Sequence, residues 1–259
     1  MLPLAFFRNR NFAGTNLLTL WLYAALGGGL FFLPLNLIQV QGYSATTAGA
    51  ALLPFILIMF VLSRWAGRLV DTVGPRRPLV VGPLIAAAGF AAFALPATGG
   101  SYWSSFFPAI VVLGFGMTVT VAPLTTTVMN AVGPEAAGIA SGVSNAVSRV
   151  AALLAIAIFG GVMAWAFDRG LDEALQAARL PDELTAMVQA QRGRLAAVEL
   201  PRGIDPASAA TIHRAVADAF VSGFRWVMGI SAALALASSL AAALLISGQQ
   251  PVSSASGTA

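Results

Sequence analysis

The residues most able to do chemistry in this sequence form a charged cluster at positions 64–77, where four arginines surround one aspartate. A carboxylate among guanidinium groups can form ion pairs, and it can also accept hydrogen bonds from the exposed N–H groups at a helix start. Contacts of this kind can form in one conformation and break in another. Two glycines permit tight turning and close approach of the backbone. The cluster therefore predicts a conformational latch made of Gly67, Arg68, Asp71, Gly74, Arg76 and Arg77.

Other reactive residue types are scarce. The sequence has no cysteine, and its single histidine, His213, has no second histidine or carboxylate at a ligand spacing that stands out. No Ser–His–Asp set, phosphate-binding loop or paired-carboxylate site is recognisable. We therefore predict that the chain is not an enzyme, holds no metal and uses no cofactor.

The composition indicates a protein whose solvent is largely lipid. Hydrophobic residues make up 58% and charged residues 9% of the 259 positions, with a mean hydropathy of +0.83, whereas soluble domains carry about 25% charged residues. All fourteen basic residues are arginine, and none lies in a basic helix interleaved with aromatic residues. This pattern is typical of the ends of membrane spans and argues against nucleic acid binding.

Charge-free stretches delimit the membrane spans. Residues 11–63 and 78–134 carry no charge, and each stretch is long enough for two helices of about 20 residues. Breaks at 39–44 and 96–101 divide the two stretches, a fifth apolar segment covers 140–167, and a sixth covers 225–247. The predicted fold class is an all-α integral membrane bundle of six transmembrane helices, with the lipid bilayer as its main partner.

The domain boundaries follow from the same pattern. Residues 1–167 are predicted to hold transmembrane helices one to five, and 223–247 the sixth. Between them, 168–222 contains six arginines, eight acids and three prolines, which predicts an extracytoplasmic loop with short helices. Asp182 and the pair Asp205–Pro206 are typical helix starts, the last helix running into the final span. The Ser/Gly/Pro-rich residues 248–259 are predicted to form a disordered cytoplasmic tail.

The arginines also predict the orientation. Arg8, Arg10 and the arginines of the charged cluster lie on one side of the bundle, and the positive-inside rule makes that side cytoplasmic. Both termini are then cytoplasmic in a multi-pass protein of the plasma (inner) membrane. The six arginines of 168–222 lie on the opposite side and conflict with this orientation.

Polar residues within the predicted spans are candidates for lining or gating a cavity. Asn16, Thr19 and Tyr23 fall on one face of the first helix, and Asn145 shares a face with Arg149 on the fifth. Hydrogen bonding between helices would give the same pattern. Arg149 can alternatively lie one or two turns inside the cytoplasmic face and extend its guanidinium to water.

Small residues on the fifth helix indicate a place where two helices meet. Gly138 and Gly142 are four positions apart and form a GxxxG face. Such a face lets helix backbones approach closely in lipid, so we predict helix packing there.

The charged cluster resembles the signature G-x-L-a-D-r-x-G-r-R of the major facilitator superfamily, which joins the second and third helices of each six-helix half. The matching positions are Gly67, Leu69, Asp71, Gly74 and Arg76–Arg77, and the departures are Thr72 and Pro75. The stretch GPEAAGIASGVSNAVSR at 133–149 and the opening RNRNFAGTN resemble the carboxyl-terminal half of the fourteen-helix drug:proton antiporter branch. The features expected of an amino-terminal half, an arginine in the fourth helix and a G-x-x-x-G-P-x-x-G-G run in the fifth, do not occur.

This resemblance implies half of a proton-coupled efflux antiporter for multiple drugs or small molecules, working by alternating access. Its implied partners are a missing amino-terminal half or a homodimer partner, a lipophilic small-molecule substrate, and protons. The alternative is a non-transporting membrane scaffold or partner subunit, from a truncated or split transporter. Whether the upstream DNA encodes the other half would distinguish the two.

Overall fold

The computed structural model describes residues 4–178, 180–201 and 203–247, and these contain helices and turns but no strand. Short 3₁₀ turns precede α1, precede α7 and follow α8. Within these residues the nine α-helices are α1 (Arg10–Gln39), α2 (Ala45–Ala50), α3 (Leu53–Val73), α4 (Arg76–Phe93), α5 (Tyr102–Ser105), α6 (Phe107–Asn130), α7 (Ala137–Ala178), α8 (Asp182–Ala190) and α9 (Pro206–Leu245).

In the part of the chain that the structure describes, six helical segments are long and apolar enough to cross a membrane, which confirms the predicted all-α membrane bundle. They are α1, the combined α2 and α3, α4, α6, the segment containing α7, and α9. α1 ends at Gln39 and α4 ends at Phe93, next to the two predicted breaks. Gln41 joins these breaks, since its side chain donates to the Ala97 carbonyl at 3.3 Å and accepts from the Gly99 N–H at 3.1 Å.

The helices pack in an open arrangement rather than a closed ring. α3 packs mainly on α6, α6 on α4, α4 on α9, α9 on α1, and α7 on both α9 and α1. α6 makes only weak contacts with α1 and α7. The bundle therefore has a gap bordered by α1, α6 and α7. The segment formed by α2 and α3 has a wide uncovered face, because only 11% of an 18-residue apolar stretch within it is buried.

Glycines set the closest approach between α4 and α6. A Cβ atom on Gly116 would lie 2.5 Å from the Ala86 nitrogen, and one on Gly89 would lie 2.8 Å from the Leu113 nitrogen. Both values are shorter than a non-bonded contact, so the two backbones meet at a distance that only glycine allows. By contrast, Gly138 and Gly142 have open space around them. Within the described residues the predicted GxxxG face packs against nothing, and its role stays a prediction.

The segment between the fifth and sixth spans is folded. α7 continues to Ala178, beyond residue 167, and α9 already begins at Pro206, where Asp205 caps it by accepting from the Ser208 N–H at 3.0 Å. Helices of these lengths extend about 60 Å, roughly twice the hydrocarbon thickness, so both project well out of the bilayer.

The projecting helices are held together by a small apolar core of their own. Its members are at most 3% exposed: Leu171, Leu175, Val188, Ile212 and Val216. Arg192 forms an ion pair with Asp172 of α7. Gln191 and the backbone of Glu199 exchange two hydrogen bonds of 3.0 Å, which close the turn after α8. The predicted tail, 248–259, lies outside the described residues.

On the same side of the bundle as this segment, Tyr102 ties the fourth span to the second. Its hydroxyl donates to the Ala51 carbonyl at 2.7 Å. Burial, and secondarily the nearby Tyr43, raise the pKa of Tyr102 above its usual value. The phenol therefore stays protonated and keeps donating at any physiological pH.

Two cysteine variants test the topology, since the natural chain has no cysteine. Cysteines at the exposed positions Thr72 and Gly193 should react with a membrane-impermeant maleimide from opposite sides of intact vesicles, because an odd number of spans separates them. Permeabilised vesicles, in which both should react, give the control. Reaction of both positions from the same side would contradict the six-span arrangement.

A pair of glycine variants tests the α4–α6 seam. Gly116→Ala should destabilise the chain by about 1–3 kcal/mol, because the new methyl group forces the backbones apart. Gly142→Ala introduces the same methyl group into open space and should leave stability unchanged or slightly raised. Thermal melting in detergent compares the two. A Gly116→Ala melting temperature at or above that of Gly142→Ala would show that the seam is not tightly packed.

Candidate functional site

A cavity of about 70 Å³ lies in the gap bordered by α1, α6 and α7. Three of its ten lining residues are apolar, Leu124, Val128 and Met129. The other seven carry a hydroxyl or amide: Thr19, Tyr23, Thr125, Ser141, Ser144, Asn145 and Ser148. A mostly polar surface between three membrane-spanning helices costs free energy unless it meets water or a ligand.

Helical periodicity directs these side chains to the cavity. Thr19 and Tyr23 are one turn apart on α1. The four residues from α7 recur at intervals of three and four, which places them on one face: Ser141, Ser144, Asn145 and Ser148. The cavity therefore combines a face of α1 with faces of α6 and α7, which lie over a hundred residues later in the sequence.

Part of the hydrogen-bonding capacity of the cavity is already used by the helices themselves. Thr19 donates to the Thr15 carbonyl at 2.8 Å, Thr125 to the Val121 carbonyl at 3.1 Å, and Ser148 to the Asn145 carbonyl at 2.9 Å. The oxygen lone pairs of these hydroxyls remain as acceptors. The side chains of Ser144 and Asn145 make no hydrogen bond in the part of the chain that the structure describes, so both can donate to a guest.

Two further predicted residues lie near the cavity but do not line it. Asn16 is 4% exposed, and its amide donates to the Phe12 carbonyl at 2.9 Å while its Oδ1 has no partner among the described residues. Arg149 is exposed and follows Ser148 directly. It lies about 18 Å along α7 from Ala137, more than three turns.

The charged cluster forms the end of α3 and the start of α4. Gly74 adopts a φ of 77°, which favours glycine, and its N–H caps α3 through the Val70 carbonyl at 3.1 Å. Around Gly67 there is open space, so nothing in the described chain approaches it closely. Asp71, Arg68 and Arg77 are exposed, and within the described residues none of them forms an ion pair or hydrogen bond through its side chain. The pairing of Asp71 with an arginine of its own loop is therefore not formed.

Arg76 instead contacts the end of α9, at the same end of the bundle. Its Nη2 donates to the Ala243 carbonyl at 2.7 Å, in the last turn of α9. Arg10 donates to the adjacent Leu244 carbonyl at 3.3 Å, and Asn11 accepts from the N–H and the hydroxyl of Ser247, both at 2.9 Å. These contacts of Arg10 and Arg76 with the last carbonyls of α9 form an arginine cap. The sequence did not predict this cap, because no local pattern relates Arg76 to a carbonyl 167 positions later.

Sequence comparison finds similarity to known transporters. The profile described as the Major Facilitator Superfamily matches residues 2–156. The tetracenomycin C resistance and export protein of Streptomyces glaucescens is 31% identical over 243 residues, covering 91% of this chain and 44% of that protein. The multidrug resistance protein Stp of Mycobacterium tuberculosis is 29% identical over 196 residues, covering 74% and 35%. The chain thus spans less than half the length of either relative.

Structure comparison agrees at the level of the fold. The chain superposes on a bacterial homolog of the human lysosomal transporter Spinster, solved in an inward-facing and unoccupied conformation. The TM-score is 0.61 and the identity 19%, over 92% of this chain and 49% of that one. The family resemblance predicted from the charged cluster is confirmed by the sequence profile and the two relatives.

Proposed function

The chain belongs to the major facilitator superfamily, and we propose that it acts as one six-helix half of an efflux transporter. The observation that carries this proposal is the polar cavity between α1, α6 and α7. Transporters of this kind place their substrate site near the middle of the membrane, between two halves that rock against each other. A hydroxyl-lined gap among apolar spans is the surface such a site requires.

The size of the cavity supports a shared site. Its volume of about 70 Å³ is well below the roughly 300–1,000 Å³ of a pocket that holds a drug-sized molecule. One half therefore supplies a wall, and an opposing unit completes the enclosure. That unit is an amino-terminal transporter half or a second copy of this chain.

Uncovered helix faces offer the contact surface for an opposing unit. On α3, Ile56, Leu57 and Phe60 are at least half exposed, and on α7, Leu153 and Ile158 are more than 60% exposed. Gly138 and Gly142 lie near the start of α7 with open space around them. Close packing of another helix onto these glycines would explain why the fifth span has a small-residue face that its own bundle leaves free.

The substrate and the driving ion follow from the relatives and from the charges. The relatives are named for resistance to or export of tetracenomycin C and multiple drugs, which favours a lipophilic small molecule. The acids of this chain lie in the charged cluster, at Glu135, and within 168–222. Because proton coupling uses ionisable acids or histidine within the spans, we assign the proton site to the opposing half.

The proposed location is the plasma (inner) membrane with both termini cytoplasmic. Arg8, Arg10 and the arginines of the charged cluster lie at the bundle end where α1 starts and α9 ends. The positive-inside rule assigns that end to the cytoplasm. The folded segment between α7 and α9 then faces outward.

Reconstitution tests the assignment of one half. The purified chain in liposomes with an imposed pH gradient should not accumulate a fluorescent lipophilic cation above the level of empty liposomes, because it lacks a membrane-embedded acid. Co-reconstitution with an amino-terminal half should restore uptake. Gradient-driven uptake by the chain alone would refute the proposal and indicate a self-sufficient homodimer. No uptake in either sample would favour a non-transporting partner subunit.

A charge-neutral variant tests the latch. In the assembled transporter, Asp71→Asn should lower the transport rate about two- to fivefold, because it removes the charge that can face a helix dipole or arginine of the opposing half. The membrane level of the protein should be unchanged, since Asp71 is exposed. Asp218→Asn makes the same change at an exposed acid of α9 and serves as the control. Equal rates for both variants would show that the cluster serves only as a topology signal.

A further inference from the structure

We propose that the groove between the starts of α1 and α4 and the end of α9 binds the phosphate of an anionic phospholipid. The groove has a volume of about 330 Å³. Its polar lining includes Asn9, Arg10, Asn11, Arg76 and Ser247, and its apolar lining includes Leu244. This site is separate from the polar cavity between α1, α6 and α7, with which it shares no lining residue.

The groove holds an excess of positive charge. Arg10 and Arg76 donate to the neighbouring carbonyls of Leu244 and Ala243, so their two guanidinium groups are held close together. The carboxyl end of a helix carries only about half a negative charge, which two full positive charges exceed. Neither acid of this end, Asp71 or Glu135, lines the groove. An anion bridging the two arginines would relieve their repulsion.

Both arginines also retain free hydrogen-bond donors. A guanidinium has five N–H groups, and each of these side chains makes a single hydrogen bond among the described residues. The two side chains are exposed at the end of the bundle, where the spans leave the apolar layer. Planar guanidinium forks suit phosphate oxygens, and basic pockets at this depth are where lipid headgroups bind.

An apolar stripe leading away from the groove favours a lipid over a soluble anion. Leu236, Leu240 and Leu244 are 49%, 59% and 65% exposed and recur every four residues, so they line one face of α9. Leu244 itself borders the groove. An acyl chain can lie along this stripe while its phosphate contacts the arginines. A free phosphate would make no use of the leucines.

The test compares retention of phosphatidylglycerol and phosphatidylcholine with identical acyl chains, by native mass spectrometry of the full chain released from mixed-lipid nanodiscs. The wild type should retain phosphatidylglycerol preferentially. The double variant Arg10→Gln/Arg76→Gln should weaken this retention about thirtyfold, or about fivefold per arginine. The control variant Arg64→Gln/Arg68→Gln removes two exposed arginines from the same end of the bundle, outside the groove. It should change phosphatidylglycerol retention little.

Leu240→Asn distinguishes the two sources of phosphate, a lipid headgroup and free inorganic phosphate. It leaves the contacts of Arg10 and Arg76 with α9 untouched. It should reduce phosphatidylglycerol retention several-fold without changing the binding of inorganic phosphate. Because Leu240 is exposed, the variant also gives an answer if the double glutamine variant fails to fold. Three outcomes would each overturn the proposal. The two double arginine variants could lose phosphatidylglycerol retention equally, or Leu240→Asn could leave this retention unchanged. Inorganic phosphate could also displace the lipid at comparable concentration.

Discussion

Within a bilayer no water is available to hydrogen-bond the backbone, so every peptide group in the apolar layer must find its partner inside the protein. The described residues meet this constraint with six helical segments that are long and apolar enough to cross. Pro54 and Pro108 stand in the first turn of α3 and α6, where the missing N–H would have no intrahelical partner, whereas Pro34, Pro83 and Pro123 lie inside helices. The hydroxyls of Thr118, Thr120 and Thr127 return to carbonyls of their own helix.

The same constraint changes what holds the helices together. Lipid tails are as apolar as leucine side chains, so burying leucine gains little and close packing decides association. Gly89 and Gly116 let α4 and α6 meet at backbone distance. Hydrogen bonds between helices add specificity, as when Ser238 donates to the Leu18 carbonyl and Ser239 to the Val80 carbonyl. These two serines fix α9 between α1 and α4, and the cap formed by Arg10 and Arg76 fixes its end.

Polar and charged side chains cluster in two places. One is the cavity between α1, α6 and α7, where hydroxyls and an amide face a gap in an otherwise apolar bundle. The other is the arginine-rich end, where charges occupy the boundary with water and the exposed Asp71 has no side-chain partner within the described residues. In the proposed half-transporter arrangement, an opposing unit would complete both places.

The sequence by itself determined the number of spans, because a charge within the apolar layer is expensive and the charge-free stretches therefore show where helices cross. It also determined the family, through the spacing of Gly67, Asp71 and Gly74, and the polar faces of α1 and α7, because helical periodicity is local. Only the tertiary structure decided which glycines pack, that Arg76 caps α9 instead of meeting Asp71, and that α7 runs on to Ala178. These features depend on contacts between different helices, 24 positions apart for Gly89 and Leu113 and 167 for Arg76 and Ala243, or on packing outside the bilayer. Neither leaves a mark in local hydrophobicity.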